Sequence, residues 1–455
     1  MRSKPTSWTA KIPDFRRLLA GGSALLIGLP LLATLIACLT VLVPAGRVRH
    51  VIANAYATGE LGDTNYLWTD TQHGIDQFTD CLVLESALYR STDPLRSSLG
   101  AAIILPPPGT PNCSLLRKEV EKPGSQRFTP YYRYWHGNKS LELPLLGAGM
   151  SVRALRLLLR VSTYLGILLF AGLAWRRSRA SGQALGVIAL FGACFSAIPY
   201  MGPLLSHAPG YLFVWLAAAW LVAWERGASA TRLGVAAFAI GFIGTFIDML
   251  ASMPFLAVMP MLCVGLARQA EGAGDAQRRG MLAGVTCALG IVWSTASKQL
   301  LASALFGWDE VVGPFTSQLL FRVGAHGPQV SVLGALGALL SNSYYLSFGR
   351  SDLMIALLVL ALVGWLVAAS LARRQLFSLL TLGVNGGLLA WYVVFKNHTA
   401  NHPQFMVRFL FLPCAWGWAV AAGAARGRLR TALAAGGYSA NSASRKAEGA
   451  SLRRG

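Results

Sequence analysis

The stretch Leu19–Val43, LAGGSALLIGLPLLATLIACLTVLV, has no charged side chain and is long enough to cross a membrane as one helix. A bilayer-spanning helix needs about 20 mostly apolar residues. The stretch is too long for the apolar part of a cleaved signal peptide and lacks a convincing cleavage site, so we interpret it as a retained signal anchor. This interpretation places residues 1–19 in the cytoplasm and 20–43 in the membrane.

The rest of the chain has the composition of a multi-pass membrane protein. Of its 455 residues, 54% are hydrophobic and 13% are charged, and the mean hydropathy is +0.49. We therefore predict an all-α polytopic membrane protein with about ten transmembrane helices. A long exoplasmic loop, 44–153, carries amphipathic juxtamembrane helices, and the transmembrane bundle occupies 154–424. The predicted spans are 20–43, 157–175, 183–200, 208–224, 232–250, 253–267, 281–300, 352–371, 377–395 and 406–424.

The net charge of +21 is explained by topology better than by nucleic-acid binding. With the N-terminus inside, paired arginines such as Arg278/Arg279 and Arg373/Arg374 fall in short inner segments, as the positive-inside rule requires. We keep Val330–Leu346 outside as a re-entrant or interfacial helix, because counting it as a span would reverse this pattern. The basic tail, 425–455, is expected to be disordered and to lie near anionic lipid, and no nucleic-acid partner is expected.

Two of the seven cysteines lie in the predicted exoplasmic loop. An exoplasmic compartment is oxidising, so we predict a disulfide between Cys81 and Cys113. The other five fall inside predicted spans, where cysteine acts as a small apolar residue.

The loop also carries the run TDTQHGIDQFTD, residues 69–80, with three acids and one histidine. Apolar residues from Ile75 to Leu88 have the spacing of an amphipathic helix over 74–89 that lies on the membrane surface. Asp76 and Asp80 are four residues apart, so they share its polar face, and His73 lies just before it. This run is the first candidate for the chemistry of the protein.

A second polar cluster, KNHTANHPQFMVR, occupies residues 396–408, between two predicted spans. A loop that only had to turn would not require this composition. Lys396 and Arg408 could bind a phosphate, for which arginine is the better bidentate donor. The i,i+4 spacing of His398 and His402 could ligate a metal, but Pro403 and the lack of a nearby acid argue against zinc. The structural alternative is a cluster of snorkelling side chains at the interface.

An aromatic belt, YYRYWHG at residues 131–137, marks the return of the chain to the membrane. We group its Arg133 and His136 with the candidate phosphate-binding residues. All seven histidines fall on the predicted outer side, where imidazole is suited to proton transfer or metal ligation. The charges within spans lie near span ends, so the pattern lacks the relay expected of a pump or an ion-coupled transporter.

This arrangement resembles the GT-C superfamily of integral-membrane glycosyltransferases. Members have a cytoplasmic N-terminus and a long exoplasmic loop after the first helix, with acidic catalytic residues and surface helices. The segments Gly74–Leu84 and Asn397–Arg408 resemble those of bacterial pilin- or polysaccharide-modifying members. The chain departs from the family in having no adjacent acidic pair and in placing Asp76 some thirty residues beyond the first helix. Asp63, Asp70, Asp76 and Asp80 therefore remain alternatives for the base.

The resemblance implies a sugar transferred from a polyprenyl-phosphate donor to an exoplasmic glycan, lipid or protein, at the inner membrane and facing the periplasm. It assigns Asp76 as base, Asp80 as second acid and His73 as orienting residue. A divalent cation, Mg²⁺ or Mn²⁺, would be held by Asp76 and Asp80 if one is needed. The residues expected to bind the lipid phosphate are Lys396, His398, His402, Arg408, Arg133 and His136.

Two other functions remain open at this point. An O-antigen ligase or polymerase also uses lipid-linked sugars from outside, but such enzymes place their large loop late in the chain. A flippase for lipids or lipid-linked glycans would need polar residues lining the membrane interior, and these are scarce here.

Overall fold

The computed structural model describes residues 15–67, 75–176, 179–196, 198–249, 252–268, 273–327, 329–341, 351–376, 378–406, 409–422 and 424–425. These residues are almost entirely helical, which confirms the prediction of an all-α membrane protein at that level. His73, Arg408 and Asp70, as well as the tail beyond 425, lie outside the described residues.

The first part of the chain forms one long apolar helix, α1, followed by a loop region that we define as residues 44–151. The strands of this region form two short antiparallel pairs, β1 with β2 and β3 with β4. The elements in chain order are α1 (Phe15–Leu39), α2 (Ala45–Ala57), β1 (Tyr66–Leu67), β2 (Ile75–Asp76), α3 (Gln77–Leu88), α4 (Pro94–Gly100), β3 (Ile103–Ile104), α5 (Asn112–Glu121), β4 (Phe128–Thr129) and α6 (Lys139–Gly147).

The bundle that follows consists of longer apolar helices joined by short ones. Its helices are α7 (Val152–Trp175), α8 (Arg179–Phe195), α9 (Ile198–Met201), α10 (Ala208–Trp224), α11 (Ala230–Ile247), α12 (Met253–Arg268), α13 (Ala273–Phe306), α14 (Trp308–Arg322), α15 (Val332–Ser341), α16 (Ser351–Leu376), α17 (Leu379–Val394), α18 (Lys396–Asn401), α19 (Pro403–Met406) and α20 (Phe411–Ala422).

Five segments of the described chain are long and apolar enough to cross a membrane. They are Ser23–Leu42, Val152–Trp175, Ala208–Gly227, Ala230–Ile247 and Gly274–Phe306. Other apolar helices, such as Met253–Arg268 and Leu379–Val394, are shorter. The count of about ten spans and the orientation of the chain therefore stay predictions.

Small residues let α11 and α13 approach closely. A Cβ atom added at Gly241 would overlap the carbonyl oxygen of Cys287, and one at Gly290 would overlap that of Phe238. Helices in a bilayer associate through such close packing, because lipid tails are as apolar as the side chains they replace.

The disulfide between Cys81 and Cys113 is present, which confirms that prediction. It joins α3 to α5 across 32 residues. Both cysteines are fully buried in the core of the loop region. The bond therefore fixes the two helices that form the centre of this region.

The prediction that residues 74–89 form an amphipathic surface helix is wrong. Every residue of α3 except Phe78 is buried, including its acids Asp80 and Glu85. The polar face of α3 is covered by protein, and its carboxylates have hydrogen-bond partners there. Glu85 accepts hydrogen bonds from the Ile104 amide at 2.9 Å and the Asn112 side chain at 2.7 Å. Helices α2 and α5 of the loop region each have one buried and one exposed face.

The loop region is fastened to the bundle through Trp135. The indole of this residue packs against Phe242 and Phe246 of α11, and its N–H donates to the Ser294 carbonyl of α13 at 2.8 Å. The Gly137 amide donates to the carbonyl of Phe246 at 2.9 Å. These contacts hold the aromatic belt, residues 131–137, against α11 and α13.

Candidate functional site

Two cavities meet where the loop region faces the bundle. The larger, of about 630 Å³, we call the apolar cavity, and the smaller, of about 310 Å³, the polar cavity. Four residues line both and form what we call the junction: Arg133, Tyr134, Arg322 and His398. A ligand could therefore occupy both cavities and pass the junction.

The apolar cavity lies between α13, α14 and the end of α17. Its wall includes Ile291, Val292, Leu300, Phe315, Leu319, Trp391 and Phe395. Val292 and Leu300 in this wall are 64% and 51% exposed. They belong to α13, which is one of the membrane-length helices. This geometry suits a hydrocarbon chain that enters sideways from the membrane.

The polar cavity lies between the loop region and the α18–α19 turn, the two segments singled out in the sequence. The loop region contributes Phe78, Thr79, Leu82, Ile103, Asn112 and Tyr131. The bundle contributes His207, Met249, His402 and Met406.

Arg322 and Arg133 give the junction its positive charge. The guanidinium of Arg322 donates to the Tyr134 hydroxyl at 2.7 Å, and that of Arg133 lies over the Tyr131 ring at 5.0 Å from its centroid. Within the described ranges, neither guanidinium has a carboxylate within 4 Å. Two half-buried cations that neighbour tyrosines and not acids form an anion-binding arrangement.

The same charges act on the tyrosines. Burial would raise the pKa of the Tyr134 phenol, but the positive charges of Arg322 and Arg133 outweigh it and lower that pKa. Burial raises the pKa of Tyr131. Tyr134 is therefore the stronger hydrogen-bond donor of the pair toward an anion at the junction.

His398 and His402 lie side by side, with ring centroids 4.9 Å apart. Burial and the charge of Arg322 lower the pKa of both imidazoles, that of His402 to about 4. Both rings are therefore neutral near pH 7. They offer a neutral N–H to a ligand, and the positive charge of the junction comes from the arginines.

Two of the expected phosphate-binding residues line neither cavity. The stem of Lys396 packs against Gly324, whose φ of +77° is in the left-handed region that favours glycine. His136 is buried between Tyr131 and Tyr134, and burial holds the pKa of its ring well below the usual value. Of the two, His136 contacts the junction residue Tyr134.

Asp76 lies beside the polar cavity but does not line it. Its carboxylate caps α3 by accepting a hydrogen bond from the Phe78 amide at 2.9 Å, and it is 7% exposed. Phe78 and Thr79, two and three residues further along the chain, do line the cavity. Burial, and then the neighbouring charge of Asp80, raise the pKa of Asp76 to about 7. A carboxyl group with this pKa can accept or donate a proton near neutral pH.

Asp80 lies away from both cavities, in a buried ion pair with Arg156 of α7 at 2.7 Å. Its other oxygen accepts from the Leu205 amide, also at 2.7 Å. This arrangement gives Asp80 a positioning role, since it joins α3 to the bundle. Within the described part of the chain, no group of three or more His, Cys, Asp or Glu side chains that could hold a metal ion is found.

Arg322 and Tyr134 are the important residues that the sequence did not single out as a pair. The signal was weak: Tyr134 lies in the aromatic belt, but 188 residues separate it from Arg322. Among the described residues no carboxylate lines either cavity.

Comparison of the chain with protein-family models, with curated proteins and with solved structures found no match. The assignment of a function therefore depends on the chemistry of the two cavities.

Proposed function

We propose that this protein is an integral-membrane glycosyltransferase of the GT-C type, which moves a sugar from a polyprenyl-phosphate donor to an acceptor on the exoplasmic side. The observation that carries the proposal is the pair of cavities meeting at Arg133 and Arg322. A polyprenyl-phosphate sugar has the same order of parts: an apolar chain, one anionic phosphate and a polar sugar. The chain would occupy the apolar cavity, the phosphate the junction and the sugar the polar cavity.

The arginines at the junction would supply most of the donor affinity. A polyprenyl chain gains little when it leaves lipid for an apolar protein wall, because both are hydrocarbon. The phosphate gains hydrogen bonds to charged donors, each of which contributes about 1.5–3 kcal/mol. Arg133, Arg322 and the Tyr134 hydroxyl are placed to provide them.

In the proposed reaction an acceptor hydroxyl or amide attacks the anomeric carbon of the sugar. The bond from that carbon to the phosphate oxygen breaks, and its electron pair stays on the phosphate, whose charge grows by one unit. Arg133 and Arg322 would stabilise this developing charge. A carboxylate takes the proton of the acceptor, and we assign this step to Asp76, whose pKa of about 7 suits it. Because Asp76 lies next to the polar cavity without lining it, the proton would pass through one bridging water.

A transfer assay in detergent tests the proposal. Purified protein would be supplied with a polyprenyl-phosphate sugar and soluble acceptors, and the product measured by mass spectrometry. Transfer in the absence of a bilayer is expected of an enzyme, whereas a flippase has nothing to transport under these conditions. Loss of transfer in Arg322→Ala, with transfer retained in the exposed-surface control Arg127→Ala, is the expected pattern. Equal rates in the two variants would contradict the assignment of the junction.

A further inference from the structure

A third cavity, which we call the arginine groove, lies at the start of α7 and has a volume of about 370 Å³. Three arginines of α7 line it together with Glu60 of the loop region. They are Arg153, Arg156 and Arg160, at positions i, i+3 and i+7. None of its lining residues belongs to the apolar or the polar cavity, so the groove is a separate feature.

The charges of the groove leave one positive charge in excess. Arg156 is paired with Asp80 at 2.7 Å and also donates to the Glu60 carbonyl at 2.7 Å. The Glu60 carboxylate accepts from the backbone amide of Arg153 at 2.9 Å. Within the described ranges, the side chains of Arg153 and Arg160 have no carboxylate within 4 Å. Three guanidinium groups thus face two carboxylates.

Arg160 has hydrogen-bonding capacity to spare. One of its terminal nitrogens donates to the Pro199 carbonyl at 3.1 Å. Its Nε is buried and has no hydrogen-bond partner among the described residues. A buried guanidinium N–H without an acceptor is costly, and an anionic oxygen in the groove would satisfy it.

A membrane position of α7, which its length and composition allow, would place the groove at the depth of lipid headgroups. The 24 residues of α7 make a helix of about 36 Å, whereas the hydrocarbon core of a bilayer is about 30 Å thick. The first turns therefore extend into the headgroup layer, and Arg160 can reach it by snorkelling. Leu157, which lines the groove, begins an exposed apolar stripe that continues through Val161, Leu165 and Leu168. The groove is thus continuous with a lipid-facing surface.

We propose that the arginine groove binds the headgroup of an anionic phospholipid, with the phosphodiester on Arg153 and Arg160 and one acyl chain along the apolar stripe of α7. A phosphodiester carries one negative charge, which matches the one excess positive charge of the groove. The lipid would lie beside Arg156, whose pairing with Asp80 fastens α3 to the bundle. Lipid binding would therefore also stabilise the attachment of the loop region.

Native mass spectrometry of the purified full-length protein tests this proposal. The probes are phosphatidylglycerol, phosphatidylcholine and inorganic phosphate, each titrated in detergent. The wild-type protein is expected to retain phosphatidylglycerol in preference to phosphatidylcholine. The double variant Arg153→Gln/Arg160→Gln keeps a polar, hydrogen-bonding side chain at each position but is shorter and loses both charges, and it is expected to bind phosphatidylglycerol at least about tenfold more weakly.

The control is the double variant Arg47→Gln/Arg127→Gln, which removes two exposed arginines of the loop region and should bind as the wild type does. Phosphatidylglycerol should also raise the melting temperature of the wild type more than that of Arg153→Gln/Arg160→Gln. If the latter unfolds during purification, the single variant Arg153→Gln, whose residue is exposed, provides the same comparison. Equal retention by the variant and the wild type would overturn the proposal. Displacement of phosphatidylglycerol by millimolar inorganic phosphate would overturn it too, because the site would then recognise a soluble anion and not a lipid.

Discussion

The substitution Asp80→Asn separates a positioning residue from a catalytic one. The Asp80 carboxylate is completely buried and pairs with Arg156 at 2.7 Å and 3.1 Å, while its second oxygen accepts from the Leu205 amide. Asparagine keeps an acceptor for that amide but leaves the Arg156 charge buried without a counter-ion. Removing one partner of a buried pair typically costs about 3–5 kcal/mol of the free energy of unfolding.

The assay is denaturant unfolding in detergent micelles, read for Asp80→Asn, for Arg156→Met and for the double variant. Because replacing both partners is often close to neutral, the double variant should recover most of the lost stability. Asp93→Asn is the matched control. Asp93 caps α4 through the Leu95 amide, its side chain is 42% exposed, and asparagine caps equally well, so its cost should stay below about 1 kcal/mol.

The result that refutes this reasoning is equally specific. An Asp80→Asn protein that unfolds within about 1 kcal/mol of the wild type and yet transfers no sugar would make Asp80 part of the chemistry. Loss of activity that accompanies loss of stability, and returns in the double variant with Arg156→Met, is the outcome expected of a positioning residue.

Four further predictions can be tested on the same protein. Since burial raises the pKa of Asp76 to about 7 and the base must be deprotonated, the transfer rate should rise with pH and level off above about 7, and Asp76→Asn should abolish transfer at every pH, in contrast to Asp70→Asn. An active Asp76→Asn protein would shift the assignment to Asp70. Because the folded state holds the Asp76 proton longer than the unfolded chain does, the stability of the wild type should fall between about pH 4 and 7, and this fall should be smaller in Asp76→Asn when unfolding is measured at both pH values. Reduction of the Cys81–Cys113 bond should cost about 3–4 kcal/mol in the chain-entropy model, measured by unfolding with and without reductant, and an unchanged midpoint would contradict the central place given to this bond. Gly241→Leu should prevent the close approach of α11 and α13 and lower the melting temperature, whereas Gly172→Leu, at a position with open space, should not.

The fold class and the disulfide could be predicted because each depends on a property that composition records directly. Apolar runs of sufficient length identify membrane helices. Cys81 and Cys113 are the two cysteines of the predicted exoplasmic loop, so each could only be paired with the other.

The buried position of α3 could not be predicted because amphipathic spacing records only which residues share a face. It does not record what covers that face. Here the covering groups are Asn112, the Ile104 amide and Arg156, which come from three other elements. A polar face whose carboxylates have hydrogen-bond partners inside the protein has the same periodicity as one that faces water.

The junction was only partly visible in the sequence. Arg133 and His398 belonged to the two segments that attracted attention, but Arg322 lies in a third segment that meets Tyr134 only after folding. Lys396 was as prominent as these residues in the sequence, yet its stem packs against Gly324 and not into either cavity. Convergence of distant segments depends on helix packing, which residue spacing does not report.

The central claim is that the junction holds a polyprenyl-phosphate sugar, and mass spectrometry of lipid retained by the purified protein tests it most directly. The wild type is predicted to carry a polyprenyl-phosphate sugar, and the variant Arg133→Ala/Arg322→Ala is predicted to lose it while keeping any bound phospholipid. Equal amounts of the polyprenyl lipid in both proteins, or only phospholipid in the wild type, would contradict the account.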